Sequence, residues 1–81
     1  MEIPMQKVSS SQIDGIGYDA LTQTLAVRFT AKVGPGALYH YTNVPPGVFE
    51  ALRTADSVGA YHAANIKWKY QYQKIEERAA A

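Results

Sequence analysis

The chain has 81 residues, 47% of them hydrophobic and 19% charged, with a formal net charge of +1. That length holds one domain, and the composition is that of a folded chain rather than a disordered one. Near neutrality excludes a protein whose whole surface attracts nucleic acid. The absence of cysteine excludes disulfides and thiolate zinc sites and suits a cytoplasmic protein.

Residues 1–10 show no period and read as a tail or an edge strand. The opening "MEIPMQKVSSSQ" lacks a basic start followed by an apolar stretch, so no signal peptide is expected. No apolar run approaches the roughly 18 residues of a membrane span, and no membrane partner is expected. In "IDGIGYDA", Ile16 and Tyr18 alternate across Gly17, which predicts a short strand. Gly15 and Gly17 either weaken it or mark the close approach of another backbone. "DALTQ" reads as a turn in which Asp19 bonds the backbone ahead of it. "TLAVRFT" is the strongest strand: Leu25, Val27 and Phe29 share one face, and Thr24, Ala26, Arg28 and Thr30 the other. The two segments are spaced for an antiparallel hairpin.

"AKVGPG" is a loop broken at Gly34-Pro35-Gly36. "ALYHYT" is a third strand, with Tyr39 and Tyr41 pointing one way and Leu38, His40 and Thr42 the other. Proline cannot donate to a ladder, so the strand stops near Asn43. "PPGVFEALRTA" predicts a helix begun by Pro46, with Val48, Phe49, Leu52 and Ala55 as its apolar stripe. "DSVGAYHAAN" predicts a second short helix, capped by Ser57 and ended by Asn65. Gly59 costs that helix about 1 kcal/mol against alanine, which implies that something packs on it. In "IKWKYQYQKI", Ile66, Trp68, Tyr70 and Tyr72 alternate with Lys67, Lys69, Gln71 and Gln73. That is a strand period, but helix formers follow it, so strand and helix both stay open over residues 66–75. The expected architecture is α+β. A three-stranded antiparallel meander is followed by two short helices packed on one face, then an extended C-terminal arm. The domain spans 8–75, with a tail at 1–7 and a frayed end at 76–81.

Taken in order, "SSSQIDGIGYDALTQTLAVRF", "YHYTNVPPGVFEAL" and "ADSVGAYHAANIKWKY" resemble the KTSC domain, a module named for the C-terminal extension of certain lysyl-tRNA synthetases and also found alone in bacteria. The pattern is carried by Ser10, Ser11, Gly17, Tyr18, Asp19, Leu25, Val27 and Phe29. It continues through Tyr39, Tyr41, Asn43, Val44, Pro45, Ala55, Ser57, Gly59, Ile66 and Tyr70. The "TAKVGPGAL" connection is longer than the short glycine turn of the family pattern. The resemblance implies the fold, and through the synthetase link it implies RNA binding.

Two stretches are candidates for function. Tyr39 and Tyr41 on one strand face form either a stacking platform for unpaired bases or core rings with their hydroxyls at the rim. Strand register decides between these, and sequence does not fix register. The segment "KWKYQYQK" interleaves cations with rings: Lys67, Lys69 and Lys74 for phosphates, Trp68 for a base. Its bland reading is an edge strand whose lysines discourage sheet-to-sheet pairing. Catalysis has no comparable support. Ser9-Ser10-Ser11 lies in no G-x-S-x-G elbow, and no spacing pairs His40 or His62 with a carboxylate. No cofactor or metal is expected. The favoured reading is a non-enzymatic module that binds RNA or single-stranded nucleic acid. The alternative is a protein-interaction adaptor working through the aromatic arm. Oligomeric state is not legible.

Overall fold

A computed structural model of the chain describes residues 3–34 and 36–75. In chain order its elements are β1 (Gln6–Lys7), β2 (Ile13–Asp19), β3 (Thr24–Phe29), β4 (Leu38–Tyr41), α1 (Pro46–Arg53), α2 (Val58–Asn65) and β5 (Tyr72–Ile75). The strands form one antiparallel sheet in the order β1-β2-β3-β4-β5. The α+β class, the central three-strand meander and both helices stand where the residue pattern places them.

Among the described residues the sheet has five strands rather than three. Of the alternatives open for residues 1–10, the edge strand is realised at Gln6–Lys7, opposite Ile16 and Gly15. The larger correction concerns the C-terminal arm. It does not stay free; it pairs with the outer edge of β4, from Leu38↔Ile75 to Tyr41↔Tyr72. The cause lies in the backbone of β4, which β3 satisfies on one side only. Its other edge offers unpaired groups that an alternating segment can take up. Thr42 N donates to Gln71 O at 2.9 Å just ahead of the ladder. The end at 76–81 lies outside the described residues.

Burial follows from register. Ile13 faces Phe29, but Gly15 already faces Arg28, so the strand bulges at Asp14. That extra residue lets Ile13 and Ile16, three apart, both point into the core. They join Leu25, Val27, Tyr41, Val44, Leu52, Val58 and Ile66. Tyr18 closes the side of the core: its ring stacks on Phe49 with centroids 5.1 Å apart, and its hydroxyl donates to Val44 O at 2.5 Å. The chain turns out of β4 through Asn43, at φ +59°, before Pro46 opens α1. Ser57 Oγ accepts from Ala60 N at 3.2 Å and caps α2. The glycine at 59 has the reason its sequence position implies. A Cβ there would stand 3.0 Å from Gln12 Oε1, because the segment before β2 packs on the helix.

The helices cover one sheet face, and residues 3–5 cross the other. Gly17, Ala26 and His40 align on that second face. A Cβ on Gly17 would fall 2.3 Å from Pro4 O, so only glycine admits the crossing. On this face Ala26 is fully buried and His40 nearly so.

Candidate functional site

Between the helix-side face of the sheet and α2 lies an open cleft of about 530 Å³. That falls within the roughly 300–1,000 Å³ typical of ligand sites. Its sheet wall is aromatic because of register. Leu25 faces Tyr41, which faces Tyr72; Val27 faces Tyr39, which faces Lys74. Residues paired across antiparallel strands share a face, so Tyr39, Tyr41 and Tyr72 gather beside Phe29. Ring centroids lie 5.5 Å apart for Tyr39–Tyr72, 5.9 Å for Tyr41–Tyr72 and 5.6 Å for Phe29–Tyr39. The opposite wall comes from α2, where Gly59, His62 and Ala63 recur at helical spacing. The turn after the helix adds Lys67 and Trp68. Gln12 and Thr30 contribute polar groups to the lining.

At the floor, Tyr41 Oη and His62 Nε2 share a hydrogen bond of 2.8 Å. The imidazole meets the rings of Tyr41 and Phe29 edge-on, at 5.4 and 5.3 Å. Burial, with the neighbouring Tyr39 and Tyr72 hydroxyls, pushes the Tyr41 hydroxyl up to about 12. Burial and then the charge of Lys67 hold His62 below the usual histidine value. Both groups are therefore neutral at pH 7. Lys67 Nζ sits 5.2 Å from the Trp68 ring centroid, within cation–π range.

The structure divides the sequence-derived candidates. Tyr39 is half-buried, with its ring in the cleft wall. Tyr41 is only 3% exposed and belongs to the core, so its ring is closed to a stacking base. Lys67 and Trp68 line the cleft, and Trp68 is 79% exposed. Lys69 and Lys74 are exposed but lie outside the lining, although Lys74 shares the sheet face of Tyr39. Residues 66–69 are turn and Tyr70 a bend, not strand, so Lys67 and Trp68 border the same cleft instead of pointing to opposite sides.

Sequence reasoning missed Tyr72, His62 and Phe29 as cleft residues. The alternation of Tyr70 with Tyr72 held the signal for the first. For His62 the signal was its position three residues after Gly59, on the same helix face. His40 lies on the opposite sheet face. Neither histidine hydrogen-bonds a carboxylate among the described residues. Among those residues no group of histidine, aspartate or glutamate side chains is placed to hold a metal, and no helix is long and apolar enough to cross a membrane.

A five-stranded antiparallel sheet, roofed on one side by two short helices and centred on a Tyr-x-Tyr strand, defines a distinct class of small α+β module. The chain belongs to the KTSC domain family, whose pattern it matches over residues 9–72. It is similar to the crystal structure of a KTSC domain protein from Yersinia pestis, with a TM-score of 0.83 and 33% identity over 93% of this chain and 100% of that one. A protein of Tsukamurella paurometabola is 43% identical over 67 residues, 83% of this chain and 94% of its own length. A lysine–tRNA ligase of Nostoc punctiforme is 35% identical over 72 residues. That match takes in 89% of this chain but only 12% of the ligase.

Proposed function

We propose that this domain is a non-enzymatic module that binds RNA or single-stranded nucleic acid weakly through the aromatic cleft. One observation carries the reading: Lys67 and Trp68 line one wall of a cleft whose other wall holds Tyr39 and Tyr72. Cations beside accessible rings are what an unpaired strand needs, one for phosphate and the other for the π-faces of bases. Base–aromatic stacking contributes about 1–3 kcal/mol per base, enough for weak binding from two or three rings. Similarity to a segment of a lysine–tRNA ligase supports the choice of nucleic acid. Lys69 and Lys74 extend the positive charge beyond the cleft and serve as outer phosphate contacts.

The test is a titration with a short single-stranded RNA, followed by fluorescence of Trp68, the chain's one tryptophan. About three phosphate contacts give a logarithmic salt slope near −2, so affinity falls roughly ten- to twenty-fold between about 50 and 200 mM salt. Lys67→Ala reduces the slope by about 0.7. No binding, or binding indifferent to salt, rejects the reading and favours the adaptor role for the same aromatic surface.

A further inference from the structure

The Tyr41–His62 pair gives the cleft floor a direction. Nε2 of His62 is held by the Tyr41 hydroxyl, and among the described residues this is the only hydrogen bond of either side chain. No fully buried side-chain nitrogen or oxygen among the described residues lacks a partner. Nδ1 of His62, which has none, is therefore not sealed off, and His62 is among the residues that line the cleft. The hydroxyl proton of Tyr41 has one acceptor within reach, Nε2. Leaving that proton unbonded at a 3% exposed tyrosine is the more costly arrangement. Nε2 therefore accepts, and in a neutral imidazole the remaining proton sits on Nδ1. The cleft floor thus presents an N–H donor between aromatic walls.

We propose that His62 reads the edge of one unpaired nucleobase. Its Nδ1–H donates to a carbonyl oxygen or ring nitrogen of a base stacked on the exposed Tyr72 ring, beside Tyr39. This rests on the nucleic-acid reading above for its class of ligand. It adds a single base-sized position with a hydrogen-bond requirement, which phosphate attraction alone does not supply.

The two are separable by NMR, using adenosine and uridine as phosphate-free probes and a short oligouridylate as the strand. Long-range proton–nitrogen spectra of the free protein are expected to show His62 in the Nδ1–H form. Both nucleosides are expected to shift the His62, Tyr39 and Tyr72 signals. His62→Phe weakens nucleoside binding about ten-fold, while His62→Asn, whose amide nitrogen can stand near the lost Nδ1, recovers part of it. An Nε2–H form overturns the proposal. So does an oligouridylate that shifts the lysine signals while neither nucleoside moves the cleft, and in that case strand binding survives. Nucleosides that bind where the strand does not leave the base position standing and reject the single-strand reading. Silence from all three probes rejects both.

Discussion

The hydroxyl of Tyr41 meets a single partner, and it does so where water does not compete. Tyr41→Phe keeps the ring and its packing but leaves a histidine nitrogen facing nothing. The expected cost is about 1–2 kcal/mol, the net worth of a buried hydrogen bond with some penalty for the orphaned group. It is checked by the shift of the urea midpoint at constant slope. How far such residues were legible is shown by "LYHYTN". Alternation separates Tyr39 and Tyr41 from His40 correctly, because period 2 is local. Which side faces the helices is not local. It was settled by pairing Tyr41 between Leu25 and Tyr72, from the strand before β4 and from one two helices after it. His62 was harder still, since a lone helical histidine carries no mark of the hydroxyl that waits for it across the core.

At the scale of elements, α2 holds one wall of the cleft, and its first turn depends on Ser57. Ser57→Ala removes the acceptor for Ala60 N and is expected to cost about 1 kcal/mol. For a domain of this size that lowers the thermal midpoint by about 4–8 °C, readable by circular dichroism. The hairpin, the Pro46 helix start and the Ser57 cap were all readable, because each is written within a few residues. The last strand was readable only in its period. His62 O accepts from both Ile66 N and Lys67 N, at 3.0 and 2.9 Å. The chain therefore curls on leaving α2, spends residues 66–70 in a turn and a bend, and pairs as a strand only from Tyr72. Alternation alone cannot register that delay. Nor can it show that the delay brings Trp68 to the cleft and Tyr72 alongside Tyr41.

For the molecule as a whole, both sheet faces enclose a histidine, and burial is the chief cause that lowers the affinity of each for a proton. Lowered values in the folded state mean that the unfolded chain binds protons first. Stability is therefore complete above about pH 6.5, the unfolded value. It falls as pH drops from there through the folded values. At the alkaline end Tyr41 acts in the opposite sense. Its folded value of about 12 lies above the ordinary tyrosine value of about 10, so stability declines as pH climbs from 10 toward 12. Urea midpoints across pH 5 to 8 and above 9 are expected to trace a plateau with two falling shoulders. A flat profile below 6.5 is incompatible with two enclosed imidazoles.

The strap over Gly17 also determines how the domain can be carried. Ile3 to Met5 run across the side of the sheet turned away from α2. The first described residues therefore leave the cleft uncovered, and a tag joined ahead of them is expected to leave nucleoside shifts at Tyr72 unchanged, which an NMR titration of the tagged chain checks.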